Sequence, residues 1–300
     1  MTEPLVIDLH FRDQPRVIAT GVIRAPEGLV LVDPGPASCL PALERGLRAL
    51  GHSLEDVRAL LLTHIHLDHA GATGALAARL PGLRVYVHAR GAPHMVHPEK
   101  LLASATRLYG DAMDRLWGPF LPTPEGDVTV LNGGERIDVA GRALTVAYTP
   151  GHAVHHVSYL DEETGLAYVG DTAGIRVSAG YLIAPTPPPD IDLERWEESL
   201  QALEAWRPSG LFLTHFGAVS PVGDHLARFR EALAGAAATV QATLTLDGDD
   251  DEKMAAFADR LRADVSSAMP PEEARATELA APFGQLWQGL ARYYRKRAAG

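Results

Sequence analysis

The sequence predicts an α/β fold with a helical extension at its C-terminal end, and three observations support this. Up to about residue 216, short apolar runs typical of β-strands alternate with segments that carry helix signals. Several of these runs end directly at a His or Asp, as in active sites built on loops at strand ends. From about residue 222 the pattern changes to helices without strands. We therefore expect a main domain over residues 1–221 and a helical extension over residues 222–300.

The expected elements follow the chain in order. Strand-like runs cover residues 5–9, 17–24, 29–32, 57–62, 144–148, 166–169 and 211–213. Helices are predicted over residues 69–79 and 192–206, the second stopped by Pro208. The extension is predicted to hold helices over residues 224–244, 250–265 and 271–297, the last broken or kinked at Pro282.

Two segments interrupt this alternation. One is a helical insertion over about residues 93–126, and the other is a Gly- and Pro-rich loop over residues 172–190. Because long loops without secondary structure are often functional, we expect the second segment to form one wall of a pocket. Arg176 and Tyr181 lie on this loop. Arg176 could hold a substrate carboxylate and Tyr181 could donate to an oxyanion, or both residues could only anchor the loop, so neither is assigned to catalysis.

The run Thr-His-Ile-His-Leu-Asp-His-Ala-Gly at residues 63–71 indicates a metal site. Three imidazoles and a carboxylate within six residues are hard to explain by packing, since Asp is almost never buried unless it is paired. On an extended segment, His64, His66 and Asp68 point to one side, while His69 turns toward a neighbouring point. A single ion would be crowded by all four groups, so the run favours two adjacent ions.

Three further ligand-type residues stand downstream. His152, Asp171 and His215 each follow a strand-like run, often beside Gly or Pro residues that permit a sharp turn. We expect them to supply the remaining metal ligands. The imidazole and carboxylate set suits zinc, iron or manganese on grounds of ligand softness.

Composition and charge restrict the partners. A formal net charge of −11 leaves the chain without the cationic surface that supports nucleic-acid binding. No apolar run is long enough to cross a membrane, and the first residues lack the features of an export signal, so a cytoplasmic location is expected. The single cysteine, Cys39, excludes an internal disulfide and is expected to be a buried apolar residue.

With these residues in hand, the chain resembles the metallo-β-lactamase-fold superfamily, in particular the branch with glyoxalase II and the acyl-homoserine-lactone lactonases. The resemblance covers about residues 5–220 and includes Val-Asp-Pro-Gly at residues 32–35, which matches the family's early strand-Asp-x-Gly element. It implies a four-layer αβ/βα sandwich, with residues 1–221 as the catalytic domain and residues 222–300 as the added helices.

The resemblance also implies roles for individual residues. It assigns His64, His66 and His152 to one ion, Asp68, His69 and His215 to a second, and Asp171 as the bridge between them. Asp33 is interpreted either as a group that orients a ligand or as a turn residue before Pro34. His156 is a candidate for a residue behind the ligands, while His155 stands where the family often has Gly and stays unassigned.

The implied activity is hydrolysis of a carboxyl ester, thioester or lactone by a hydroxide shared between two divalent metal ions. Zinc is the first expectation for these ions, with iron or manganese as alternatives. Asp68 is the residue given a catalytic role, in which it holds the hydroxide or passes its proton to the leaving group. Asp171 disfavours β-lactam hydrolysis, because lactamases of this fold generally lack it. Gly174 stands where the lactonases usually have Tyr, and no glutathione-binding pattern is visible in the extension.

Other readings stay open. A mononuclear iron persulfide dioxygenase would use His64, His152 and Asp171, and a phosphodiesterase or a non-catalytic metal-binding module is a weaker alternative. The expected partner is a small-molecule substrate, with neither nucleic acid nor membrane. The last helix carries an apolar stripe between Phe283 and Tyr294, which must cover its own domain, the pocket mouth or a second subunit. A homodimer is therefore an open expectation.

Overall fold

The computed structural model describes residues 4–178 and 180–299, and within them twelve strands form two six-stranded sheets. The first sheet holds, in spatial order, β1 (Leu5–Asp8), β2 (Ala19–Ala25), β3 (Gly28–Val32), β4 (Val57–Leu61), β5 (Arg84–His88) and β6 (Val128–Leu131). The second sheet holds β7 (Arg136–Val139), β8 (Arg142–Tyr148), β9 (Val157–Asp161), β10 (Leu166–Gly170), β11 (Gly210–Leu213) and β12 (Gly217–Val219).

The strand directions place several carboxyl ends side by side. Strands β3 to β6 are parallel, and β10 is parallel to β11, whereas the other neighbours are antiparallel. Parallel neighbours need a crossover connection, usually a helix. The loops that follow β3 and β4 therefore leave one edge of the first sheet, and the loops that follow β10 and β11 leave one edge of the second sheet. Residues on these loops can form a site.

Eleven α-helices are present in the described part of the chain. They are α1 (Leu40–Ala49), α2 (Leu67–Ala70), α3 (Thr73–Arg79), α4 (Ala92–Val96), α5 (Glu99–Tyr109), α6 (Met113–Trp117), α7 (Leu193–Ala205), α8 (Val222–Leu244), α9 (Asp250–Ala268), α10 (Pro271–Ala280) and α11 (Phe283–Ala299). Asp192 caps α7 by accepting a hydrogen bond from the Arg195 amide, and Asp249 caps α9. Pro282 separates α10 from α11, at the position predicted for a break. None of the helices described has the length and apolarity of a membrane span.

The core follows the two-residue alternation of the strands. In β3, Val30 and Val32 join the apolar layer between the two sheets, together with Tyr159 and Phe212 from the second sheet. Their neighbours on β3 face the outer layer, where α1 contacts the first sheet and α7 contacts the second. This is the αβ/βα order of layers that the family resemblance implies. Cys39 is buried, as expected.

One helix differs from its prediction. The structure replaces the single helix expected over residues 69–79 by α2 and α3, with a break at Gly71 and Ala72. The turn after β3 causes the break, because the Gly35 amide donates to the His69 carbonyl and the Ala72 amide donates to the Gly35 carbonyl. A Cβ atom on Gly71 would lie 3.0 Å from the Cα of Pro36, so the two segments are in close contact.

The two helical additions meet over the same end of the sandwich. The predicted insertion contains α4 to α6, and α8, α9 and α11 contact one another in the extension. The Tyr109 hydroxyl on α5 donates a hydrogen bond to Oε1 of Gln285 on α11, at 3.3 Å. The buried side chains of α11 belong to the same apolar cluster as those of the outer layers. The aromatic stripe of the last helix therefore covers its own chain.

Candidate metal centre

Seven side chains converge where loops leave both sheets. His64 follows β4 in the first sheet, and the three other residues of the same motif lie in the loop after β4 and in α2. His152, Asp171 and His215 follow β8, β10 and β11 of the second sheet. The structure thus brings together every residue that the sequence proposes as a metal ligand. They are His64, His66, Asp68, His69, His152, Asp171 and His215.

The first donor set consists of His64, His66 and His152. The three nitrogens that face each other are His64 Nε2, His66 Nδ1 and His152 Nε2, and they lie 2.9 to 3.2 Å apart. The other nitrogen of His152 donates to the Pro185 carbonyl at 2.8 Å, so its Nε2 carries no proton in the neutral ring. Lone pairs held this close repel one another unless a cation lies between them. The geometry therefore fits a metal ion.

The second donor set consists of Asp68, His69 and His215. Nδ1 of His69 donates to Asp33 at 2.8 Å, and Nδ1 of His215 donates to the Val17 carbonyl at 2.6 Å. In the neutral form of both rings this leaves Nε2 without a proton, and each Nε2 faces Asp68, at 3.7 and 3.4 Å from its Oδ2. Both Nε2 atoms are buried without a hydrogen-bond partner. Such orphaned atoms are rare in folded proteins, and a second cation would satisfy them.

Asp171 lies between the two donor sets. Its Oδ1 is 3.3 Å from His69 Nε2 and 3.7 Å from His215 Nε2, whereas its Oδ2 is 3.5 Å from His152 Nε2. Oδ1 is also buried without a hydrogen-bond partner. One carboxylate oxygen thus faces each set, which is the arrangement expected of a bridging ligand.

The carboxylates and imidazoles shift each other's ionisation. Burial alone would raise the pKa of Asp171, but His69, His215 and His152 hold it well below its ordinary value. Burial alone would lower the pKa of His69, and the surrounding carboxylates instead raise it well above its usual range. Burial and the neighbouring His152 lower the pKa of His66 to about 3. The pKa values of the three rings of the first donor set are thus lowered, which favours the neutral form that binds a metal, whereas the carboxylates around His69 and His215 favour positive charge at the second set, as a cation would supply.

Asp33 fixes this arrangement from behind. Its carboxylate accepts hydrogen bonds from the Thr63 amide and hydroxyl, the Thr214 hydroxyl and Nδ1 of His69, all at 2.7 to 2.8 Å. Thr63 follows β4 and Thr214 follows β11, so Asp33 links the ends of both sheets. Of the two interpretations offered by the sequence, the contacts favour the orientation of a ligand. Its φ of 51° shows that Asp33 also forms the turn.

Replacing Asp33 by asparagine is expected to weaken metal binding at the second donor set by about 10–100-fold. An amide side chain accepts hydrogen bonds only at its oxygen. Its NH₂ group would therefore face a group of Thr63, Thr214 or His69 that donates to the carboxylate of Asp33. Titration with a competing chelator measures the change. Asp161→Asn is the control, because it breaks a buried pair with Arg142 away from the donors. Equal losses of affinity in both variants would contradict an orienting role.

A cavity of about 260 Å³ opens directly on the donors. Four of them reach its surface: His66, Asp68, His152 and Asp171. The Asp68 side chain is 22% exposed, compared with 6% for Asp171. Asp68 is therefore the more accessible carboxylate of the two. The loop over residues 172–190 forms part of the wall, as predicted, through Ile175 and residues 185 and 187–190.

Two further histidines stand beside the donors: His156, which the sequence offers as a candidate for a residue behind the ligands, and His155, which it leaves unassigned. His156 contacts the Thr149 and Thr172 hydroxyls through Nδ1, at 2.9 and 3.1 Å, and accepts from the Asp171 amide. It therefore supports the loop that carries Asp171. His155 lines the cavity, and its ring lies 5.6 Å from that of His66. Only its place after the Pro-Gly-His motif points to it.

Arg176 and Tyr181 lie outside the cavity lining. The Arg176 amide donates to the His215 carbonyl, so its backbone anchors the loop near a donor. Tyr181 lines a different cavity, between α8 and α9. The structure thus places neither residue in the lining of the cavity that holds the donors.

A family model described as the metallo-beta-lactamase superfamily matches residues 13–215. The chain belongs to this superfamily. A metallo-beta-lactamase fold-containing protein of Sulfurisphaera tokodaii is 30% identical over 178 residues, which are 58% of this chain and 66% of that protein. A hydroxyacylglutathione hydrolase of Aeromonas hydrophila is 33% identical over 166 residues, 55% of this chain and 50% of that enzyme. A thioesterase of Emericella nidulans is 26% identical over 213 residues, 71% of this chain and 48% of that enzyme.

Solved structures of the superfamily share the fold. A metallo-beta-lactamase family protein from Thermus thermophilus aligns with a TM-score of 0.66 and 24% identity, over 99% of this chain and 93% of that one. An archaeal superfamily protein from Sulfolobus tokodaii aligns with a TM-score of 0.65 and 22% identity, over 97% and 99%. The predicted family and fold are confirmed. The matched segments span about half to two thirds of the curated relatives' lengths. Membership and the named hydrolases support the prediction of a metal-dependent hydrolase.

Proposed function

We propose that this superfamily member is a dinuclear metal-dependent hydrolase of thioesters, carboxyl esters or lactones. The observation that carries the proposal is the pair of donor sets, which share Asp171 beside a cavity of substrate size. The relatives described as hydroxyacylglutathione hydrolase and thioesterase support acyl transfer to water and favour a thioester among the three. The acidic chain supports a small-molecule substrate over nucleic acid.

His64, His66 and His152 would hold one divalent ion, Asp68, His69 and His215 would hold the second, and Asp171 would contact both. When bound, two such ions make a water molecule acidic near neutral pH and polarise a carbonyl oxygen. Zinc is the first expectation for both, with iron or manganese as alternatives.

The protein residues contribute position, proton transfer and exclusion of water. Asp68 presents a carboxylate to the cavity, where it can accept a proton from the attacking water and return it to the leaving group. The outer nitrogens of three donor rings are each held by an acceptor, so the rings cannot turn away from the substrate. Apolar side chains of α5 and α11, such as Leu101 and Leu286, line the opposite wall and limit access of water.

The same geometry bears on the mononuclear dioxygenase alternative. That activity would use His64, His152 and Asp171 and would leave the second donor set without a role. Yet His69 and His215 present buried nitrogens without hydrogen-bond partners beside two carboxylates, an arrangement that a cation would satisfy. The second set therefore favours the dinuclear hydrolase.

Metal analysis of the purified protein, combined with a substrate panel, tests the proposal. We expect close to two ions per chain and turnover of a thioester, an aryl ester or a lactone in preference to a β-lactam or a phosphodiester. Asp68→Asn should lower kcat on the acyl substrate by about 10²-fold or more. Asp190→Asn is the matched control, because Asp190 lines the same cavity and belongs to neither donor set. Preferred cleavage of the phosphodiester, or one iron ion with persulfide oxidation, would refute the proposal.

A further inference from the structure

Two cationic side chains at the cavity have no role in the proposed chemistry. Arg90 follows β5, and Lys100 lies in the first turn of α5. Both are exposed and both line the cavity that contains His66 and Asp68. Neither forms an ion pair with another residue in the ranges that the structure describes. Their charges are therefore available to a ligand in the cavity.

The position of Arg90 is set by close packing against the metal-binding loop. A Cβ atom on Gly91 would lie 2.8 Å from Cγ2 of Ile65, the residue between two donors of the first set. The His94 amide donates to the Gly91 carbonyl at 2.9 Å, which begins α4 at this contact. Arg90 is thus attached to a segment that cannot move away from the donors without losing this contact.

The charge of the cavity edge contrasts with that of the whole chain. The chain has a formal net charge of −11, yet Arg90 and Lys100 stand together with the rings of His94 and His155 on this lining. Apart from the proposed metal ligands Asp68 and Asp171, Asp190 is the one acidic residue among the described residues that line the cavity. The edge formed by Arg90, His94 and Lys100 is therefore locally basic. A basic edge in an acidic protein attracts an anionic ligand selectively to this place.

The remaining lining is apolar on the side of the helical additions. Leu101 and Leu108 of α5 and Leu286 of α11 line the cavity together with three consecutive prolines, residues 187–189. Such a surface accommodates the aliphatic part of a substrate, whereas the basic edge accommodates a charged end. The two surfaces together are complementary to an acyl compound with an apolar body and a charged end.

We propose that Arg90 and Lys100 bind an anionic group of the substrate, a carboxylate or a phosphate, which lies apart from the bond that is cleaved. The inference rests on the proposed hydrolase function and narrows its substrates to acyl compounds with an apolar body and an anionic end. The Arg90 guanidinium can hold a carboxylate or phosphate by two parallel hydrogen bonds, and Lys100 adds a second positive charge.

Four thioesters with a six-carbon acyl group test the inference on the metal-loaded enzyme. The neutral reference is the hexanoyl thioester of N-acetylcysteamine. The adipoyl thioester of the same thiol carries a carboxylate on the acyl side, the hexanoyl thioester of 3-mercaptopropionate carries one on the thiol side, and hexanoyl-coenzyme A carries phosphates. We expect the wild-type enzyme to have a KM at least about tenfold lower for one anionic substrate than for the neutral reference.

The variants Arg90→Gln and Lys100→Gln should each raise KM for the preferred anionic substrate by about tenfold, with little change in kcat. Neither should alter KM for the neutral thioester. Raising the salt concentration should weaken the anionic preference of the wild type. Arg107→Gln is the matched control, since Arg107 is an exposed cation on α5 outside the cavity lining.

The outcomes separate the inference from the function on which it rests. If the KM of the wild type for the neutral thioester equals its KM for each of the three anionic thioesters, the inference is wrong and the hydrolase function stands. Equal effects of the variants on neutral and anionic substrates, or an equal effect of Arg107→Gln, would also overturn the inference. If the metal-loaded wild type hydrolyses none of the four thioesters and no other acyl substrate, the proposed function itself is wrong.

Discussion

Replacing Asp171 by alanine is expected to lower the metal content from about two ions per chain to less than one and to reduce kcat/KM by about 10³-fold or more. Asp171 presents one oxygen toward each donor set. Its removal would take a ligand from each of the two proposed ions and also the negative charge that would offset their mutual repulsion. His215→Ala removes one ligand of the second set only. It should chiefly empty that site and leave the first near full occupancy.

Elemental analysis of the two variants, after removal of loosely bound metal, distinguishes these results. Asp190→Ala removes a carboxylate from the same cavity without touching a donor, so its metal content should equal that of the wild type. Circular dichroism would show that each variant is folded. One tightly bound ion in the wild type, with His215→Ala unchanged, would contradict the dinuclear site and favour a mononuclear enzyme.

The second large effect is expected in α11. Trp287 is 2% exposed, and its Nε1 donates to the Thr243 hydroxyl of α8 at 2.8 Å. Trp287→Ala should therefore lower the free energy of unfolding by about 3–5 kcal/mol, because it leaves a large cavity between two helices and removes the hydrogen bond to the Thr243 hydroxyl. Metal content of the folded protein should stay near that of the wild type, since the proposed donors end at His215.

Urea unfolding of the metal-loaded protein measures this change. Trp206→Ala is the matched control, because Trp206 stands at the end of α7 and is only partly buried. Trp206→Ala should lower the free energy of unfolding clearly less than Trp287→Ala does. A folded Trp287→Ala protein of wild-type stability would contradict the packing role, and one that has lost both ions would show that the extension helps to form the site.

The sequence predicted those features that depend on local pattern. The donors could be found because each stands at the end of an apolar run, and Pro282 broke the last helix because proline cannot continue it. The single helix expected over residues 69–79 was wrong because its break depends on Gly35, which lies more than thirty residues away. The backbone of Gly35 forms hydrogen bonds with the His69 carbonyl and the Ala72 amide, which a continuous helix would use for its own hydrogen bonds.

The cavity could not be predicted for a similar reason. Its walls come from α5, from the loop after Ile175 and from α11, and no spacing in the sequence relates these segments. Arg90 and Lys100 are ordinary surface cations by pattern alone, and only the folded chain places them in the lining of the same cavity as His66. Local periodicity thus predicts elements and ligands, whereas the shape around the ligands depends on contacts between distant segments.

The seven proposed ligands come from the strand ends of two different sheets, and Asp33 accepts hydrogen bonds from both. A cation bound there would act as a crosslink between the halves of the sandwich. Binding of metal would then contribute to the free energy of folding. Acidification, which would protonate the histidines and release the ion, would weaken the whole molecule rather than its active site alone. The durability of this protein in a cell would accordingly depend on metal supply as much as on its apolar core.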